Sequence, residues 1–132
     1  MGVRFSLTMD AADPASLARF WAAALGDRHL GGPDPGEDGT GEWATLDDAS
    51  GRGPDLFFQR VPEGKVAKNR VHLDVQVGGG RAQEWGPRWA RISSMVESLV
   101  AAGGTVVQEY EIADRPDHVV MQDPEGNEFC VV

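Results

Sequence analysis

The sequence predicts an α+β fold in which two βαβββ modules, residues 1–61 and 70–132, are joined by a connector at 62–69 within a single domain. Three observations predict it. VRFSLTM at 3–9 and RVHLDVQV at 70–77 alternate apolar and polar residues with the period of two that marks a half-buried strand. Each of these segments is followed by one whose apolar residues recur at helical spacing and which stops at glycine. Ser6 and His72 hold matching places in the two strands and stand 66 residues apart, half of the 132-residue chain, so the architecture repeats although the sequence does not.

The elements follow in order. Val3, Phe5, Leu7 and Met9 form the apolar side of the first strand, with Arg4, Ser6 and Thr8 opposite. Asp13-Pro14 starts a helix, since Asp caps the first turn and proline suits the first helical position. Leu17, Phe20, Trp21, Ala24 and Leu25 make its apolar face, and Gly26 ends it. Arg28 to Leu30 is a weakly signalled second strand. GGPDPGEDGTG at 31–41 is a mobile loop. Glu42 to Leu46 and Leu56 to Val61 are strands separated by a Gly/Asp/Pro turn. The second module opens with Arg70 to Val77 and continues through a glycine-rich insertion at 78–87. A helix runs from Arg88 to about Ala102, burying Trp89, Ile92, Val96, Leu99 and Val100, and Gly103-Gly104 stops it. Thr105 to Tyr110, His118 to Gln122 and Glu128 to Val132 are strands, with the tight turn Asp123-Pro124-Glu125-Gly126-Asn127 between the last two.

Composition removes several function classes. The chain is 41% hydrophobic and 25% charged, an ordinary globular balance. Its apolar runs are far short of the ~20 residues of a membrane helix, and the N-terminus lacks the pattern of a signal peptide. A formal net charge of −9 opposes binding to nucleic acid or an anionic membrane. One cysteine, Cys130, excludes an internal disulfide and fits the reducing cytoplasm.

Two βαβββ modules of this size, with ADPASLARFWAAALG at 12–26, KNRVHLDVQV at 68–77 and DPEGNEFCVV at 123–132, resemble the glyoxalase-like domains of the vicinal oxygen chelate superfamily. That superfamily includes glyoxalase I, extradiol dioxygenases and bleomycin-resistance proteins. The resemblance implies two curved four-stranded sheets forming a cup between the modules, and a homodimer. It also implies metal-ligand positions on the first and last strands of each module, which fall on Ser6, Gln59, His72 and Cys130, with Glu128 as an alternative to Cys130. Ser6 and Gln59 are weak neutral oxygen donors, and Cys130 favours zinc only as a thiolate. The expectation is therefore a cup without a catalytic metal; if a metal is present, zinc fits best, held by His72, Gln59 and Cys130 or Glu128.

Each candidate residue has a plainer alternative. His72 is a ligand or cavity hydrogen-bonder, or a sheet histidine paired with Asp74. Cys130 lines the cup or is an ordinary buried thiol. Trp43, Trp85 and Phe57 supply aromatic contact area, whereas Trp21 and Trp89 belong to helical core stripes. His118 opens a strand and faces Trp43 across the cavity, or lies at an exposed strand end. Asp123 is turn chemistry, and Glu128 stays open. The runs Gly31-Gly32 and Gly78-Gly79-Gly80 lack nucleotide-loop spacing.

Three functions follow. The first is a metal-free binder of a small, largely apolar molecule, using Ser6, Trp43, Phe57, Gln59, His72, Trp85, His118 and Cys130; the net charge suits a neutral or cationic ligand. The second is a metal-dependent lyase, isomerase or dioxygenase. The third is an accessory subunit without a ligand.

Overall fold

A computed structural model describes residues 2–26, 28–32 and 41–132, so most of the glycine- and proline-rich loop expected at 31–41 lies outside the described residues. The chain divides into two compact units, Met1–Gly64 and Lys65–Val132. In the first, β1 (Ser6–Ala11), α1 (Pro14–Leu25), β2 (Arg28–Gly31), β3 (Trp43–Asp48) and β4 (Asp55–Arg60) follow in order. In the second come β5 (Asp74–Val75), α2 (Trp85–Ala101), β6 (Thr105–Ile112), β7 (Arg115–Gln122) and β8 (Glu128–Val131). Each unit holds one four-stranded sheet, ordered β1-β4-β3-β2 and β5-β8-β7-β6. The first strand of each unit runs parallel to its last, and the other pairs are antiparallel. The architecture is thus the α+β pair of βαβββ modules that the sequence predicts.

The helices cover one face of each sheet. Asp13 caps α1 by accepting from the Ser16 backbone N–H at 3.2 Å, and Gly26 ends the helix at φ +59°. Leu17, Ala18, Phe20, Trp21 and Ala24 of α1 are buried, as are Ala44, Leu46, Leu56 and Phe58 of the sheet. In the second unit Ile92 and Leu99 are fully buried, and Val75, Val119, Met121, Phe129 and Val131 supply the sheet side. Along each strand the alternate residues therefore point away from the helix.

Several boundaries differ from the sequence reading. β1 begins at Ser6 because its partner β4 begins at the paired Asp55, so Val3 and Phe5 precede the ladder, 93% and 70% exposed. Regular pairing of β5 covers only Asp74 and Val75, although backbone bonds from Cys130 N to Leu73 O and from Val132 N to Val75 O flank it. Upstream, the Glu128 backbone carbonyl is taken by the Asn69 side-chain amide at 3.3 Å, and Val71 is 75% exposed. α2 starts at Trp85, and its buried stripe is rotated by one residue: Arg88 is buried, whereas Val100 is exposed. The guanidinium of Arg88 reaches the carboxylate of Asp117 at 3.2 Å, so a charged residue occupies a position the apolar pattern could not flag. The apolar end FCVV is not an open sheet edge, because β8 lies between β5 and β7; edge strand β6 exposes Val106, Val107 and Ile112, and edge strand β2 exposes Leu30.

The β6–β7 hairpin is longer than the sequence implies. Ala113 and Asp114 form its two-residue turn with φ +53° and +61°, the left-handed conformation usually left to Asn-Gly. Replacing Ala113-Asp114 by Asn-Gly should stabilise the protein by about 1 kcal/mol in urea denaturation. Phe58→Ala, at a fully buried site, should cost about 3–5 kcal/mol in the same assay.

Three carboxylates give the fold an acid limit. Asp48 is drawn down to about 2 by the Ser50 hydroxyl and the Gly53 backbone N–H. Glu128 is drawn down to about 2 by the Asn69 backbone N–H and then Lys65. Asp117 is held well below the usual range by Arg81, with His118 and Arg88 adding to it. A folded value below the ordinary 3.8 (Asp) or 4.5 (Glu) contributes stability above those values, and the contribution is lost as pH falls through the folded one. Thermal midpoints should therefore not change on this account above about pH 5, then drop steeply toward pH 2. Glu128→Gln should make that drop shallower.

Candidate functional site

The helix-free face of the second unit's sheet gathers most of the titratable candidates. The register sets Asp74 opposite Cys130, Cys130 opposite Val120, and Val120 opposite Gln108, one row across all four strands. His72 precedes Asp74 by two residues and approaches it with Nε2 3.5 Å from Oδ1. One donor atom from each of His72, Asp74 and Cys130 lies within 4.8 Å of the others. His72 and Asp74 are about half exposed, whereas Cys130 is half-buried. Burial pushes the Cys130 thiol up, and the charge and hydrogen bond of Asp74 push it further.

His118 lies on the same face, one residue pair along from Val120. It sits inside β7 rather than opening a strand, because the hairpin extends back to Arg115. Its ring stacks on its cross-strand partner Tyr110, with centroids 5.0 Å apart and planes at 7°. Its Nδ1 lies 2.8 Å from Oδ2 of Asp117. Asp117 is itself bound by Arg81, at 3.0 and 2.7 Å, and by Arg88.

The first unit's helix-free face is chemically different. Thr8 stands opposite Phe57, and Phe57 opposite Thr45; Asp10 stands opposite Gln59, and Gln59 opposite Trp43. The Trp43 and Phe57 rings stack diagonally, 5.9 Å apart and 11° from parallel, and Trp43 is 42% exposed. Ser6 is on the same face, at the start of β1.

These registers place the ligand-position candidates within each unit. Thr8 opposite Phe57 in the first unit corresponds to Asp74 opposite Cys130 in the second. Phe57, not Gln59, is therefore the counterpart of Cys130, and Gln59 lies one pair beyond. Glu128, the alternative to Cys130, is engaged with the connector. Its carboxylate accepts from the Asn69 backbone N–H at 2.9 Å and from Lys65 Nζ at 3.1 Å, clipping the connector to β8. Asp123 is a turn residue, accepting from the backbone N–H groups of Glu125 and Asn127 and from the Asn127 side chain. Trp85 is separated from the other candidates by its element. It lies in the first turn of α2, where its indole N–H donates to the Pro116 carbonyl at 2.7 Å and Arg115 covers a ring face at 5.3 Å.

The sequence reading missed Asp74 as a donor, although its place two residues from His72 on an alternating strand was the signal. It also missed Asp117, which no pattern marks. His72, Asp74 and Cys130 together fit zinc, the divalent ion that accepts imidazole, carboxylate and thiolate alike. Zinc bound there would supply Lewis acidity, and Cys130 would have to release its proton to join.

The two repeats, with strand order 1-4-3-2 in each and donors on paired first and last strands, define a class of α+β proteins built on doubled βαβββ modules. A family model for the glyoxalase-like domain matches residues 6–132, and the chain belongs to that family, the one that the sequence resembles. No curated protein matches it. Among solved structures it is similar to a possible glyoxalase from Bacillus cereus, with 18% identity, 100% of this chain and 98% of that one covered, and TM-score 0.64. It is also similar to a glyoxalase/bleomycin resistance protein/dioxygenase family enzyme from Burkholderia phytofirmans, with 17% identity, 98% and 97% covered, and TM-score 0.62. A third is the fosfomycin resistance protein FosX from Mesorhizobium loti, with 11% identity, 98% and 89% covered, and TM-score 0.64. At these identities the likeness is one of fold.

The raised thiol sets a check on the geometry. Cys130 should react with iodoacetamide at neutral pH several-fold more slowly than free cysteine, because less of it is thiolate. Asp74→Asn removes the nearby negative charge and should speed the reaction.

Proposed function

We propose that the protein binds a small, largely apolar molecule and does so without a catalytic metal. The observation that carries this reading is the Trp43–Phe57 stack, an exposed aromatic platform on a helix-free sheet face. Phe57 stands where the second module has Cys130, so the first module offers Ser6, Thr8 and a phenyl ring in place of imidazole, carboxylate and thiol. Two hydroxyls and a ring suit an organic ligand far better than a divalent ion. The net charge of −9 favours a neutral or cationic one. The fold neighbours named for glyoxalase and for bleomycin or fosfomycin resistance agree with a fold that handles small molecules.

A tryptophan-fluorescence screen of neutral and cationic aromatic compounds tests the proposal. Saturable quenching is expected, with affinity reduced about tenfold or more in Trp43→Ala or Phe57→Ala. A screen in which no compound gives saturable quenching, or in which both variants bind as the parent does, would contradict it.

One observation favours the second reading, a metal-dependent lyase, isomerase or dioxygenase: the convergence of His72, Asp74 and Cys130. Elemental analysis of freshly purified protein separates the two. The binder reading expects far less than one metal per chain; near-stoichiometric zinc that disappears in His72→Ala would replace it with the enzyme.

The same proposal places the protein in the cytoplasm as a homodimer. Among the described residues no helix is long and apolar enough to cross a membrane. Val106, Val107 and Ile112 are exposed on the edge strand β6, which supports association with a second copy. Light scattering at micromolar concentration should give twice the 14.2 kDa chain mass, and a mass of one chain would count against it.

A further inference from the structure

The pair Asp117–His118 has a geometry that the binder reading does not use. Asp117 is 5% exposed and is bound on one side by both Arg81 and Arg88. The Arg88 guanidinium also donates to the Asp117 backbone carbonyl at 2.9 Å, which fixes this segment of β7 to α2. Two guanidinium groups around one carboxyl keep it ionised. An ionised carboxylate only accepts hydrogen bonds, so the Nδ1 facing it at 2.8 Å must carry the hydrogen. When the imidazole is neutral, the lone pair is then forced onto Nε2. The parallel stack on Tyr110 fixes the ring plane. Among the described residues Nε2 has no partner, and the side chain keeps 24% exposure on the face that also carries Asp74 and Cys130.

We infer that His118 Nε2 is an oriented hydrogen-bond acceptor for a ligand O–H or N–H group, with Asp117 as the residue that positions it and sets its tautomer. The ligand class is a neutral molecule bearing a hydroxyl or amide donor. An anionic group without such a hydrogen would meet a lone pair, with the carboxylate of Asp74 on the same face. Asp117 does not touch the ligand; it acts through the ring. This assignment rests on the small-molecule reading for its ligand but not for its tautomer, and the two are tested separately.

The experiment is long-range proton–nitrogen NMR of protein labelled at histidine, in alkaline buffer where imidazole is neutral. The chain has three histidines, and His29→Gln, His72→Gln and His118→Gln assign them. The expected result is His118 with hydrogen on Nδ1 and a bare Nε2. The opposite tautomer in the wild type would overturn the assignment, whatever any ligand does. Asp117→Asn, whose amide can also donate, should populate the opposite tautomer, and an unchanged spectrum in a folded variant would remove Asp117 from the account. If that variant does not fold, the wild-type tautomer still decides.

Phenol is then added as a probe with an O–H donor, and benzene as one without. Phenol should shift the His118 Nε2 resonance saturably while His29 stays in place, and benzene should leave Nε2 unmoved. Equal shifts from both compounds, or none from phenol, would overturn the acceptor role. Fluorescence quenching lost in Trp43→Ala with the tautomer intact would instead report only on the aromatic platform.

Discussion

The parallel pairing of each module's first strand with its last is the constraint on which the rest of the structure depends. A parallel pair cannot be closed by a tight turn, so the chain between must cross over, and here the crossover carries the helix and two further strands. The pairing brings Thr8 against Phe57 and Asp74 against Cys130, residues about fifty positions apart in the chain. It also leaves one face of each sheet for the helix and the other for polar and aromatic side chains. Burial of Trp21 with Phe58, and of Ile92 and Leu99 with Phe129, is what holds that division in place.

The two modules use the same register for different chemistry. The first presents hydroxyls and a stacked Trp43–Phe57 pair. The second presents imidazole, carboxylate and thiol, and beside them a histidine whose orientation is set from the helix side by an aspartate held between two arginines. A duplicated scaffold tolerates this because residues on the helix-free face carry little of the packing. Substitution there changes the site without changing the core. The buried Arg88 is the exception that links the two faces. Its charge is compensated by Asp117, and removing either partner alone would leave a charge in the core.

The doubled βαβββ pattern was legible because it rests on periodicity, caps and glycine stops, which are local. Both helices and every strand were anticipated, including the weak one at Arg28. Boundaries failed where pairing partners decide them. Val3 and Phe5 alternate like strand residues but have nothing opposite them, and Arg70 to His72 precede the paired part of β5. The hairpin turn was hidden because Ala113-Asp114 carries no glycine signal for its positive φ values. Position and type named His72, Cys130, Trp43 and Phe57 as candidates, and the registers put Trp43 and Phe57 on one helix-free sheet face and Cys130 on the other. Asp74 was read only as a partner for His72, and Glu128 was left open although it is committed to the connector. Trp85 was placed in the glycine-rich insertion, whereas the helix begins at it and its indole N–H donates to the Pro116 carbonyl. Asp117 and the buried stripe position of Arg88 were illegible, since an ion pair between a helix and a strand has no sequence period.

The central proposal is that the ligand is organic and is met by the Trp43–Phe57 face of the first unit rather than by a metal. Crystals of protein purified without added metal or ligand, measured for anomalous scattering on both sides of the zinc edge, test it most directly. The account predicts no zinc peak among His72, Asp74 and Cys130, and electron density for an organic molecule against Trp43 and Phe57. A zinc peak coordinated by all three side chains, with bare solvent over the aromatic pair, would contradict it.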